Sequence, residues 1–193
     1  MESSYVTARN IYARGTSDDI VKPGSDSSLG FTRPATDYYV RNIIGDTNCN
    51  LFQIGSETAD DIKNAYVDNI YVLAGNKAGF SISTNDGATV ENIYLNSGKT
   101  GPVHHQAQMR RTRTPFFISI SNRGRVIGGQ AERTKFMENG VERDELLSTN
   151  VNIGHVRNVH IKDVNIEEVY QGSQYSDPSK RWVPYTTQAK ASP

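Results

Sequence analysis

Apolar and polar residues alternate with period two in several short stretches of this chain, and helical periodicity is weak throughout. In Val6-Thr7-Ala8-Arg9, Tyr38-Tyr39-Val40-Arg41, Ala65-Tyr66-Val67-Asp68 and Ala88-Thr89-Val90-Glu91, every second residue is small or apolar. Such residues share one face of a strand, which leaves Thr7, Arg9, Arg41, Asp68 and Glu91 to face water. A motif of a small or apolar residue, any residue, Asn, then Ile or Val occurs five times: four copies close these stretches with Asn10-Ile11, Asn42-Ile43, Asn69-Ile70 and Asn92-Ile93, and the fifth is Val156-Arg157-Asn158-Val159. The Asn residues stand 32, 27, 23 and 66 positions apart, the spacing of a stacked repeat. A buried amide needs partners, so each Asn is expected at a tight turn, bonded to the Asn of the next repeat in a single ladder.

A second family of alternating stretches follows each motif: Asp19-Ile20-Val21-Lys22, Leu51 to Gly55, Gly79 to Ser83 and Phe116 to Ser121. Pro23-Gly24, Asn85-Asp86-Gly87 and Asn122-Arg123-Gly124 supply turns after them. The two families together predict an all-β, right-handed, single-stranded parallel β-helix of about five to seven rungs. It occupies residues 1–193 as one domain, with loops expected to leave it at 98–114 and 124–150. A short helix is expected inside the second loop, from Glu138 to Leu147, and an irregular tail over 171–193. The repeat starts within ten residues of Met1 and ends with no obvious cap. The expectation is therefore a domain incomplete at its N-terminus, impaired in catalysis alone and prone to self-association through uncapped ends.

Composition adds bounds. Hydrophobic residues make up 36% of the chain and charged residues 22%, which suits a thin solenoid with much surface per residue. Lys plus Arg and Asp plus Glu are both 21, so no global field favours nucleic acid or an anionic membrane as partner. No run of about 18 apolar residues occurs. Cys49 stands alone and cannot form an internal disulfide. No zinc, P-loop or Ser-His-Asp spacing is evident, and no metal or cofactor is expected.

The strings Val6-Thr7-Ala8-Arg9-Asn10, Thr16-Ser17-Asp18-Asp19-Ile20-Val21-Lys22 and Asn50-Leu51-Phe52-Gln53-Ile54-Gly55-Ser56-Glu57 resemble the catalytic rungs of β-helical glycoside hydrolases. The families are the polygalacturonases (glycoside hydrolase family 28) and dextranases (family 49), with the pectin-lyase-like fold, and the likeness spans residues 5–95. In them an adjacent Asp pair opens a strand and an Ile-Gly-Ser string follows one rung later. The resemblance implies hydrolysis of a polysaccharide by an inverting mechanism, with Asp18 as acid and Asp19 as base. Two carboxylates are the minimum for that chemistry, and an inverting pair stands about 6.5–9.5 Å apart to admit water. Adjacent strand residues point to opposite faces, so a distortion is needed for both to reach one cleft.

Lys22, Asn50, Gln53, Glu57, Ser81 and Ser83 are the expected substrate-binding residues. Asn50 stands where polygalacturonases carry a His, and Ser81-Ile82-Ser83 where they carry Arg-Ile-Lys, so the expected substrate is a neutral glucan or galactan. A secreted or periplasmic location goes with that resemblance. A non-catalytic carbohydrate-binding or adhesin β-helix and a polysaccharide lyase are the alternatives. His104-His105 and the run Arg110, Arg111, Arg113 read as solvated loop residues, and Trp182 and Tyr185 as a sugar-stacking platform or a structural anchor.

Overall fold

The computed structural model describes residues 3–27, 31–122, 132–147, 153–167 and 169. They form an all-β protein, without helix, whose main sheet consists of parallel strands and does not close into a barrel. The first pass of the chain is β1 (Ser4–Thr16); the second is β2 (Ala35–Thr47) and β3 (Phe52–Ile54). The third is the long β4 (Ile62–Thr84). The fourth contains β5 (Thr89–Leu95), β6 (Ala107–Met109) and β7 (Thr112–Ile120), and the last β10 (His155–Ile161) and β11 (Val164–Ile166). An antiparallel hairpin, β8 (Glu132–Glu138) with β9 (Val141–Leu147), lies between β7 and β10.

Three columns of in-register strands build the core. In the first, Val6, Tyr38, Ala65, Ile93 and Val159 lie in one row and Ala8, Val40, Val67, Leu95 and Ile161 in another. In the second, Ile11, Ile43 and Ile70 align, as do Ala13, Gly45, Val72, Met109 and Ile166. The third stacks Phe52, Phe80 and Phe116, beside Ile54, Ile82 and Ile118. Apart from Ala13, Gly45, Ile118 and Ile166, the residues of these rows belong to one core cluster. On the outer surface of the first column Tyr39, Tyr66, Tyr94 and His160 stack ring on ring at 5.0–5.5 Å.

The Asn motif does mark corners, but two of them rather than one. Left-handed backbone occurs at Tyr5, Asp37, Asn64, Asn92 and Asn158, and again at Asn10, Asn42, Asn69, Asn96 and Asp163. Asn is among the few L-residues that tolerate this conformation, because its short amide can bond locally. Asn42 Nδ2 donates to Asn10 Oδ1 (2.9 Å) and Asn69 Nδ2 to Asn42 Oδ1 (3.2 Å), forming one ladder. In the other, Asn64 donates to Asp37 (3.1 Å), Asn92 to Asn64 (3.0 Å) and Asn158 to Asn92 (3.1 Å). The single ladder expected from sequence is therefore two, since Asn92 aligns with Asn64 and not with Asn69. Both corners need a left-handed residue followed by an inward apolar one, so both carry the same signature.

Other expectations are corrected too. Asp68 is fully buried rather than facing water: its carboxylate accepts Gly98 N (3.0 Å), Thr100 N (3.0 Å) and the Thr100 hydroxyl, and so straps a loop to the sheet. That loop rejoins the sheet at β6, so 98–114 is not one continuous excursion. The expected helix at Glu138 to Leu147 is the turn and second strand of the β8–β9 hairpin. Asn139 and Gly140 both have positive φ (53° and 78°), the two-residue turn that matches strand twist. The stretch Asp19 to Lys22 joins its neighbour through the single bridge Val21–Phe52 rather than as a strand.

Candidate functional site

The outer side of the third column, with the corner that precedes it, frames a cleft of about 530 Å³. Of the expected catalytic and substrate-binding residues it gathers all but Glu57: Asp18, Asp19 and Lys22 from the first pass, Asn50 and Gln53 from the second, Ser81 and Ser83 from the third. Asp18 and Asp19 sit in the irregular link after β1, not in a strand. That irregularity is the distortion which lets two adjacent carboxylates line one cleft.

Asp19 is held firmly. Its Oδ1 accepts both the Asn50 backbone N–H (3.0 Å) and Asn50 Nδ2 (2.8 Å). Asn50 is itself buried, with its Oδ1 accepting Ala78 N (2.8 Å) and its Nδ2 also directed at Gln53 Oε1. Asp18 is exposed, and one of its oxygens accepts the Asp19 N–H (2.8 Å). Oxygens of Asp18 and Asp19 and the Cys49 sulfur lie within 4.8 Å of one another, a grouping close enough to share a cation. This spacing is tighter than the roughly 6.5–9.5 Å of an inverting pair.

Lys22 bonds Glu57 (2.8 Å) at the edge of the cleft, and the two line a smaller adjoining hollow of about 230 Å³. Burial works against the Glu57 carboxylate, but the Lys22 ammonium outweighs it and holds the pKa at about 2. Burial likewise opposes the Lys22 charge, and Glu57 more than offsets it, leaving the pKa above its ordinary value.

No protein-family model, curated protein or solved structure matches this chain. The chemistry of the site therefore rests on its own geometry.

Cys49, Lys77, Arg113 and Phe117 are among the cleft residues outside the expected catalytic and substrate-binding set. Cys49 and Lys77 face each other beside the Asp pair. Burial pushes the Cys49 thiol up, and the bond to Cys49 raises Lys77. Arg113 and Phe117 enter from β7. Arg113 thus belongs to the cleft, whereas its run-mate Arg110 pairs with Glu167 (2.8 Å). No sequence signal marks Cys49, which sits between β2 and β3, or Lys77, which sits at the register shift between Gly75 and Ala78 inside β4. Phe117 had one: it is the apolar residue at the outward position of an alternating strand. His104 and His105 are exposed, and neither lines the cleft. Trp182 and Tyr185 lie outside the described residues.

Planar amides, hydroxyls, carboxylates and one aromatic face, drawn from four passes, can hydrogen-bond and stack on a polyhydroxylated ring. The arrangement also puts a fixed carboxylate, Asp19, beside an exposed one, Asp18.

Proposed function

We propose that the chain is a length of right-handed parallel β-helix of the glycoside hydrolase kind, and that its cleft holds a polysaccharide. Parallel strands joined in consecutive passes take the right-handed connection almost without exception, which supports the handedness. The observation that carries the functional reading is the convergence of Asp18 and Asp19 with Asn50, Gln53, Ser81 and Ser83 in one cleft. Asp18, exposed, is the acid that protonates the leaving oxygen. Asp19, oriented by Asn50, is the base.

Saccharide binding without turnover is a second reading, and the short Asp18–Asp19 spacing favours it, since the pair stands closer than the separation an inverting mechanism uses. The test is reducing-sugar release from a panel of neutral glucans and galactans, with binding to the same polymers measured in parallel. Hydrolysis predicts that Asp18→Asn or Asp19→Asn lowers turnover about 10²–10⁴-fold while binding persists. Saturable binding with no release by the wild type establishes the second reading. Absence of both refutes the proposal.

A further inference from the structure

β7 leaves three large apolar side chains about half exposed, Phe117 (47%), Ile118 (48%) and Ile120 (51%), and of these three Phe117 alone lines the cleft. β7 sends Phe116 inward onto Phe80 (ring centroids 6.4 Å apart), while Phe117 points outward and is 47% exposed. Its in-register neighbour on that outer face is Ser81, which in turn aligns with Gln53. Val21 bridges Phe52, so Lys22 continues the same row in the first pass. The row Lys22, Gln53, Ser81, Phe117 thus runs across the strands from pass to pass, and all four residues line the cleft. Asp18 and Asp19 stand at the first-pass end and Phe117 at the fourth-pass end. A large ring left on a polar wall inside a cleft is an informative exposure, because aromatic faces are the usual platform for the apolar face of a sugar ring.

We infer that Phe117 forms a distal saccharide subsite, so that the cleft takes a linear neutral oligosaccharide laid across the passes, one end at Asp18–Asp19 and the other stacked on Phe117. This rests on the polysaccharide reading above and adds to it a ligand length, a direction and a residue. Neighbouring passes stack at close to 5 Å, as the 5.0 Å between the Phe52 and Phe80 rings shows. Three such intervals separate the first pass from the fourth, or about 14 Å at ordinary strand spacing. A pyranose unit of a linear chain advances by close to one interval, so about three units fill the cleft and two cannot reach both ends.

The experiment is calorimetric titration with di-, tri- and tetrasaccharides of the glucan or galactan series, using wild type, Phe117→Ala and Phe117→Tyr. The wild type gains about tenfold in affinity from the disaccharide to the trisaccharide and little more at the tetrasaccharide, in line with one added stacking contact. Phe117→Ala abolishes that gain and leaves disaccharide affinity unchanged, whereas Phe117→Tyr keeps it. The side chain is half exposed, so matching thermal melts for the three proteins confirm that the fold is intact. A trisaccharide bound equally well by wild type and Phe117→Ala, or an equal loss for both lengths, overturns the inference alone. No binding of any saccharide sinks both it and the reading on which it rests.

Discussion

Replacing Asn69 separates the two things its corner demands, a left-handed backbone and a ladder bond. Asn69 has φ of 55°, is 3% exposed and donates Nδ2 to Asn42 Oδ1 at 3.2 Å. Its Oδ1 accepts His104 N at 3.3 Å, a long bond to an exposed residue that water can replace. Alanine keeps a Cβ in the left-handed region, at about 1–2 kcal/mol, and loses the ladder bond, worth about 1 kcal/mol net. Asn69→Ala is therefore expected to lose about 2–3 kcal/mol. Glycine carries no left-handed penalty, so Asn69→Gly loses only the bond and some unfolded-state entropy, about 1.5 kcal/mol. Urea unfolding followed by circular dichroism reads the series. With a slope near 2 kcal/mol per molar, the Ala variant falls by about 1 M in midpoint and the Gly variant by clearly less. Equal midpoints for Ala and Gly would refute the claim that backbone handedness is part of what the ladder Asn supplies. A neutral Asn69→Ala would refute the ladder bond as well.

Two further outcomes follow from packing and charge. Gly79→Ala places a methyl group against the buried Met109 sulfur, and the fit forces a shift of the inner row, so stability should fall by about 1–3 kcal/mol; an unchanged melting temperature would show slack in that row. Glu57 has its folded pKa depressed from 4.5 to about 2, so its contribution is fully present above pH 4.5 and is lost as pH falls toward 2. For a partly solvated pair this amounts to less than about 1 kcal/mol. Wild type and Glu57→Gln should differ in stability at neutral pH and converge at the acid end, and a gap that widens on acidification would reverse the assignment.

What could be read from sequence divides along the columns. The alternation around Val40, Val67 and Val90 marks real strands, because each has one face in the core and one outside. Asp18, Asp19, Asn50, Gln53, Ser81 and Ser83 were grouped through the likeness to β-helical glycoside hydrolases, and the structure brings them to one cleft. Phe117 carried the signal of an apolar residue at an outward position but was not grouped with them, and Arg113 lies ahead of the alternating stretch that marks its strand. The assignment of Asn92 failed because one motif serves two corners, and only pairing register tells them apart. The hairpin was missed in favour of a helix, because the turn signal Asn139-Gly140 was given less weight than the weak helical periodicity after it.

The hairpin inserted before β10 also bears on the order in which the sheet assembles. Ladder partners in the earlier passes are 27 to 32 residues apart, as in Asn69–Asn42 and Asn42–Asn10, so each pass closes a loop of nearly constant length onto the one before it. Asn158 must find Asn92 across 66 residues, about twice that separation. Doubling a loop adds only about 0.6 kcal/mol to the closure entropy, a small thermodynamic difference. Kinetically it sets β10 and β11 apart: propagation can run pass by pass from β1 to β5, whereas the last pass docks only after a longer search.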